Sequence, residues 1–368
     1  MAGVTEETIL KHLSRIVEKK SGKDVVSLGL ISGLVVRDGN VGFALEINPA
    51  DAAEMEILRK ECEQAVFGMD GVKSVSAVLT AEKSAAAPTA APRAQQQAAP
   101  QKPEVPGVAS IIAVASGKGG VGKSTSAVNL ALGLAAQGLN VGMLDADIYG
   151  PSLPRMLGIS GKPDTKDGKT LIPMEKWGLK VMSIGFMVEE DTPMIWRGPM
   201  VMSALQQMIF DVDWGQLDVL VVDMPPGTGD AQLTMAQRVP VTGAVIISTP
   251  QDIALLDARK GLNMFNKVDV PVLGIIENMS YFLCPSCGDR SDIFGHGGAR
   301  ETAEKLGVDF LGEVPLHMDI RETSDAGTPI TAKEPDSAHA RIYKELAAKV
   351  QDRIEAQLTS SGPAFVVE

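Results

Sequence analysis

Two kinds of hydrophobic spacing alternate along most of this chain, and one stretch has neither. From residue 107 onward short apolar runs recur without polar interruption: SIIAVAS, NVGMLDAD, LDVLVVDMP, GAVIISTP, VPVLGIIENM and VDFLGEVP. Runs of this kind predict strands buried on both faces, as in a parallel sheet covered by helices. Between them the spacing becomes helical. STSAVNLALGLAAQG predicts a helix stopped by Gly138. ARIYKELAAKVQDRIEAQLTSS predicts another, on which Ile342, Leu346, Val350 and Ile354 form a narrow stripe. The alternation predicts a doubly wound, mainly parallel α/β domain over 107–360, with its ligand at the carboxyl ends of the strands.

Residues 1–82 predict a smaller α+β domain. ETILKHLSRIVEKK spaces Ile9, Leu13, Ile16 and Val17 helically. VVSLGLISGLVVRDGNVGFALEI reads as two strands around an R-D-G-N hairpin turn. DAAEMEILRKECEQAVFGM is a second helix with Asp51 at its N-cap, and VKSVSAVLT a third strand. The order is α-β-β-α-β, and the absence of a polar cluster suits an accessory or docking role. Residues 83–106 are rich in alanine, proline and glutamine, which leaves little to bury and predicts a linker. Residues 361–368 are expected to be a flexible tail.

Composition narrows the class. The chain has 368 residues, 45% of them hydrophobic, and a net charge of −12, which argues against a nucleic-acid partner. The N-terminal segment is charged throughout and lacks an apolar core, and no run of ~18 apolar residues occurs, so neither a signal peptide nor a membrane span is expected. The three cysteines, Cys62, Cys284 and Cys287, are too few for a disulfide framework. A cytoplasmic protein is the expectation. Cys62, on the second helix, reads as a structural thiol.

The first candidate site is GKGGVGKST, residues 117–125. Gly117, Gly122, Lys123 and Ser124 satisfy the phosphate-loop pattern, and the segment lies between a predicted strand and a predicted helix. Gly117, Gly119, Gly120 and Gly122 allow a bend in which the N–H groups of this stretch, including those of Val121 and Thr125, face phosphates. The positive end of the following helix adds to the attraction. Lys123 would contact the β- and γ-phosphates and the Ser124 hydroxyl would ligate Mg²⁺. Acids at two strand ends suit a metal-assisted reaction. Asp223 is expected to support Mg²⁺ through water. Asp147 is expected to orient the attacking water, with Asp145 nearer the metal, although those two roles are exchangeable. Gly227 and Gly229 could bring a backbone N–H to the γ-phosphate.

The second candidate site is CPSCG, directly after the strand ending IIENM. A C-x-x-C knuckle can be half of a zinc site, half of an iron–sulfur site, or a redox dithiol, since zinc and [4Fe–4S] clusters each take four ligands. The redox reading is the poorest, because no helical pattern follows the pair. His296, in the turn FGHGG, is more simply a chance histidine than a third ligand. A two-fold dimer would bring two knuckles together and complete a four-cysteine set.

Lys118, directly after the first glycine, carries the first resemblance. KGGVGKST is similar to the deviant phosphate loop of the MinD, ParA and nitrogenase iron-protein class of dimeric ATPases. The resemblance implies that Lys118 reaches the partner subunit's nucleotide, as a cation supplied in trans stabilises the charge of phosphoryl transfer. It also implies that Asn278 and the segment around Pro315 contact adenine. More of the chain resembles the Mrp family of P-loop ATPases: IIAVASGKGGVGKSTSAVNLALGLA, LDADIYGPSLPRMLG, WRGPM, VVDMPPGTGD and ENMSYFLCPSCG. That family implies an ATP-hydrolysing iron–sulfur cluster carrier. Its homodimer would hold a cluster, [4Fe–4S] by preference, between two Cys284/Cys287 pairs and pass it to apoproteins. The small domain resembles iron–sulfur assembly proteins, but its EINPADAAEME turn lacks the cysteine common there. Residues 1–80 are therefore expected to contact a client or an assembly factor rather than metal. The competing readings are a zinc-stapled nucleotide switch and a MinD/ParA-like positioning ATPase. MIWRGPMVMSALQQMIFDVDW reads as core or interface, and Arg197 within it could serve the nucleotide or the dimer. Asp319 and Arg321 are possible polar contacts over the base.

Overall fold

The computed structural model describes residues 5–18, 22–37, 40–47, 52–69, 71–72, 74–81, 103–188 and 198–360. The chain falls into two compact units, Met1–Gln97 and Ala98–Glu368, each with its own core. Asp38 and Gly39 of the expected hairpin turn, Asp51, Arg197, residues 83–102 of the expected linker and the tail 361–368 lie outside the described residues.

The first unit runs α1 (Glu6–Leu13), β1 (Ile31–Arg37), β2 (Asn40–Ile47), α2 (Ala52–Phe67) and β3 (Ser74–Ala81). Strand β2 is central, antiparallel to β1 and parallel to β3. The α-β-β-α-β order is the one the sequence predicts, but two boundaries differ. The first helix stops at Leu13, so Ile16 and Val17 lie beyond it, and Val17 is exposed. Residues 25–30 turn rather than extend. The Asp24 carboxylate accepts the N–H groups of Val26 (3.1 Å) and Ser27 (2.8 Å), and Gly29 takes φ +70°. A side-chain acceptor two residues back offers the backbone an alternative to strand pairing. Ile9, Leu13, Phe43, Leu45, Cys62 and Val66 fill the core. Burial pushes the Cys62 thiol up to about 11, which leaves it unreactive.

The second unit is built on an eight-stranded sheet. Its strands are β4 (Val108–Ala115), β5 (Val141–Asp145), β6 (Met174–Lys176), β7 (Leu179–Ser183), β8 (Leu217–Asp223), β9 (Gly243–Ser248), β10 (Val272–Asn278) and β13 (Phe310–Val314). Their order is β13-β10-β9-β4-β8-β5-β7-β6. Every pairing is parallel except that of the edge strand β6. The six predicted strands are five inner ones, β4, β5, β8, β9 and β10, and the parallel edge strand β13. The pair β6 and β7 was not predicted, because MEKWGLKVMS is short and broken by charge and β6 is largely exposed.

Helices cover both faces. On one, α3 (Lys123–Ala135) and α11 (Ala338–Ser360) pack with Leu130, Leu134, Tyr343 and Leu346 against the sheet. Helix α3 has ten buried positions, Lys123 among them. At Gly133 a Cβ would come within 2.8 Å of the Tyr343 carbonyl and 2.9 Å of Ala347, so glycine sets how closely the two helices approach. On the other face α5 (Gly198–Phe210) and α6 (Asp230–Arg238) close over Met208, Trp214 and Val222. Helices α7 (Asp252–Lys267) and α8 (Gly298–Leu306) share a further cluster around Leu255 and Leu262. Each fully buried aliphatic side chain contributes ~1.5–3 kcal/mol by transfer. Val105 is buried in the second core, so the fold of this unit begins just before residue 107. Among the described residues no helix is long and apolar enough to cross a membrane.

Candidate functional site

Parallel pairing places the carboxyl ends of seven strands along one edge, and nearly all the singled-out residues stand there. The phosphate loop leaves β4. Gly120 and Gly122 adopt φ +80° and +77°, and Gly122 is the N-cap of α3. Gly117 is obligatory for a packing reason, since a Cβ there would collide with the Asp257 backbone in α7. Val121 is buried while Gly119 and Gly120 are open to solvent, and Ser124 and Thr125 are half-buried. Lys123 is almost fully buried, and its ammonium donates to Asp223 Oδ1 and to Ser124 Oγ (3.1 Å).

Asp223 ends β8 with no exposed surface. Burial raises its pKa, and the neighbouring Lys123 opposes that rise. Its Oδ2 is buried and has no hydrogen-bond partner among the described residues. A free carboxylate oxygen beside the Ser124 hydroxyl and at the root of the phosphate loop fits a Mg²⁺ held partly through water.

Asp145 is the register partner of Asp223 on one side and of Ser183 on the other. It too is fully buried, but its oxygens are occupied. Oδ2 accepts from Ser152 N–H (3.0 Å), Leu153 N–H (3.2 Å) and Ser183 Oγ (3.0 Å), and Oδ1 from Asp147 N–H (3.2 Å). Burial first, and the Asp223 charge second, push its pKa up to about 7. Asp147 is half-buried and, among the described residues, accepts the Gly150 N–H (3.3 Å) at Oδ1. The surroundings of the two acids differ: Asp145 holds the backbone at Asp147, Ser152 and Leu153, whereas Asp147 is half-buried.

The loop after β8 is fastened to the phosphate loop. Gly227 N–H donates to the Ser116 carbonyl (3.0 Å), so that group is engaged within the protein. Gln232, which the sequence reading missed, holds the Pro225 and Pro226 carbonyls at 3.2 and 2.6 Å. Lys118 is half-buried and its Nζ lies 3.4 Å from Gln251 Oε1, just before α7.

At the β10 end the Asn278 amide donates to the Val121 carbonyl (2.8 Å) and crowds the position where Gly122 would carry a Cβ. Asn278 thus braces the phosphate loop. Pro315 is buried just after β13, where Ser280 N–H bonds the Val314 carbonyl (3.0 Å) and Leu316 N–H the Tyr281 carbonyl (2.7 Å). Asp319 lies in the first turn of α9 (Met318–Asp325), and Arg321 is engaged by Glu322 and Asp325 on the surface.

Cys284 and Cys287 sit at the tip of a two-stranded hairpin, β11 (Phe282–Leu283) and β12 (Arg290–Ser291). Gly288 N–H closes the knuckle on the Cys284 carbonyl (2.8 Å). The pair is reduced, with Cys284 half-buried and Cys287 exposed. Backbone N–H groups of Cys287 and then Ser286 point at the Cys284 sulfur and lower its pKa, so the knuckle favours a thiolate. A knuckle with one exposed sulfur and one sulfur held toward the thiolate fits a metal or cluster shared with a second ligand set.

The hairpin is anchored by a residue the sequence reading did not single out. Glu277, fully buried on β10, accepts from Ser280 Oγ (2.6 Å), Gly297 N–H (3.2 Å) and Ala299 N–H (2.7 Å). It therefore caps α8 and fixes the start of the hairpin. A carboxylate inside GIIENM, an otherwise apolar strand, was the available signal. Arg290 stacks over Tyr281 at 4.3 Å and donates to His296 Nδ1 (2.7 Å), which engages that nitrogen within the hairpin.

Comparison with known proteins agrees with this layout. Residues 107–351 match the model of the NUBPL iron-transfer P-loop NTPase family, and residues 6–77 that of an iron–sulfur cluster assembly protein. The chain is 45% identical over 356 residues to an iron–sulfur cluster carrier protein of Synechocystis, covering 94% of this chain and 98% of that one. It is 50% identical over 308 residues to one of Escherichia coli K12, covering 83% and 80%. Among solved structures, a nucleotide-binding protein from Archaeoglobus fulgidus in complex with ADP matches with a TM-score of 0.55 and 41% identity, over 62% of this chain and 90% of that one. The cell-division ATPase MinD of Pyrococcus furiosus, at TM-score 0.51 and 22% identity, shares the fold. With a family model matched across the whole of the sheet and its phosphate loop, the chain belongs to the NUBPL-type iron-transfer P-loop NTPases.

Proposed function

We propose that this protein binds and hydrolyses ATP and uses the nucleotide to control an iron–sulfur cluster held at Cys284 and Cys287, which it delivers to apoproteins. The observation that carries the reading is the continuity of β10. Asn278 at its end braces the phosphate loop, and the chain runs six residues on to Cys284. A change at the phosphates and a change at the thiolates are thus the two ends of one short segment. The carrier names of the relatives support the same role.

In this reading Lys123 exchanges Asp223 for the β- and γ-phosphates when ATP enters. Ser124 Oγ and the free Oδ2 of Asp223, the latter through water, would hold Mg²⁺, which neutralises phosphate charge. Asp147 orients the water that attacks the γ-phosphorus as the bond to the β,γ-bridging oxygen breaks. Asp145 keeps the Asp147 loop in place. Asn278 and Pro315 frame the base. Lys118 serves the nucleotide of a second copy, and the same two-fold pairing brings two knuckles to a four-cysteine set for one [4Fe–4S] cluster. A cytoplasmic setting belongs to the same reading. Residues 1–82 serve to meet clients or assembly factors, tethered by 83–106.

Anaerobic reconstitution with iron and sulfide, followed by iron counting and absorption with and without ATP, tests the proposal. Wild type should bind about one cluster per dimer, in a dimer whose cluster loss depends on nucleotide. Equal cluster binding by Cys284→Ala would place the site elsewhere, and one tightly held zinc per dimer with no cluster would favour a zinc staple.

A further inference from the structure

A second group of metal-ligating side chains lies away from both cysteines and the phosphate loop. His317 caps the N-terminus of α9, accepting the Asp319 N–H at Nδ1 (3.2 Å). His339 is the second residue of α11. The two imidazoles lie against each other, with centroids 4.2 Å apart and planes tilted by 40°. Asp319 Oδ2 stands 3.5 Å from His317 Nδ1. One donor atom from each of His317, Asp319 and His339 lies within 4.8 Å of the other two. The decisive detail is that Nδ1 of His339 is buried and has no hydrogen-bond partner among the described residues. Buried polar nitrogens are almost always satisfied, and an orphan asks for a ligand.

We propose that His317, Asp319 and His339 bind a borderline divalent cation, Zn²⁺ or a close substitute, that staples the first turn of α9 to the first turn of α11. Two imidazoles and one carboxylate suit zinc, cobalt or nickel, whereas magnesium and calcium take all-oxygen sets. Bonds of ~2.0–2.2 Å to a tetrahedral ion put donors ~3.4 Å apart, so the triad closes by roughly 1 Å. Asp319, whose side chain is half exposed, has the freedom to make that move. Water takes the fourth position. The ion would fix the segment that follows Pro315. The site is independent of the cluster proposal, because no cysteine takes part.

The test uses the full-length, metal-stripped, nucleotide-free chain carrying Cys284→Ala and Cys287→Ala, so that thiolate binding is removed. Zn²⁺ is titrated by calorimetry and Co²⁺ by visible absorption. We expect one equivalent per chain, ligand-field bands without a thiolate charge-transfer band, and a zinc-dependent rise in Tm of a few degrees. His339→Ala and Asp319→Asn should each weaken binding by more than about tenfold. His296→Ala, which touches the separate group of Glu277, His296 and Glu313, should leave it unchanged. Asp319→Asn lies on the surface and keeps the test open if the histidine variant does not fold. Absence of saturable binding in the cysteine-free chain, or binding that survives both substitutions, would overturn the site.

Discussion

Asp145 and Asp223 are register partners at the ends of neighbouring parallel strands, both without exposed surface, yet one carboxylate is saturated with donors while the other keeps an oxygen free. Burial first, and the charge of Asp223 beside it second, raise the pKa of Asp145. Its raised pKa makes the folded state bind a proton that the unfolded chain has released. Asp145 therefore stabilises fully at pH below ~4, and that stability is lost as pH rises through about 7. The nucleotide-free protein should lose thermal stability between pH ~4 and about 7, by at most about 4 kcal/mol from this group. Asp145→Asn should flatten that slope in a series of melting curves, and an unchanged slope would remove Asp145 as its cause.

Lys118→Ala should retain nucleotide affinity and lose hydrolysis by ~10³-fold or more, the scale of a cation supplied in trans. In one chain the Lys118 ammonium donates, among the described residues, to Gln251 and is separate from the buried Lys123–Asp223 pair, so its loss should not disturb the loop. Comparing turnover with a nucleotide-binding isotherm separates the two effects. Full turnover in the variant would remove the trans role.

Gly117→Ala and Gly120→Ala should differ in kind. At Gly117 the new methyl meets the Asp257 backbone, which has no rotamer to give. The variant should lose stability, by roughly 1–3 kcal/mol, together with nucleotide binding. At Gly120 nothing lies within 4 Å but φ is +80°. The cost there is confined to the left-handed backbone, about 1–2 kcal/mol. Urea titrations of the two variants check the order.

Glu277→Ala should lower stability by about 2–4 kcal/mol, because three donors lose a buried charged acceptor. It should also hasten loss of a reconstituted cluster, since the hairpin start is no longer held. Cluster decay followed by absorption alongside unfolding tests both halves. Unchanged decay in a destabilised variant would confine Glu277 to the fold.

The fold was legible where burial is two-sided. VASIIAVA or GAVIIS has no polar face to hide, so the apolar run itself marks an inner strand. It was not legible at the rim, where MEKWGLKVMS pairs as a hairpin with its outer strand in solvent. In the small unit the apolar run from Val25 onward promised a strand, but one carboxylate at Asp24 turned its first residues. In the site, the phosphate loop was readable because its chemistry is local. The bracing by Asn278, Gln232 and Glu277 was not, because each holds a segment whose position only the tertiary fold sets.

The seating of α3 has a mechanical consequence. Gly133 lets α11 lie almost on its backbone, and ten of its residues are buried. Such a helix is an anvil: whatever force the phosphates exert on Lys123, it cannot recoil. Displacement would go instead into the parts fastened to the phosphate loop, the Pro225–Gly229 loop and the segment from Asn278 to the cysteine hairpin. Under the proposed function, the stiffness of this one helix would send the nucleotide's signal along the edge of the sheet, toward the thiolates.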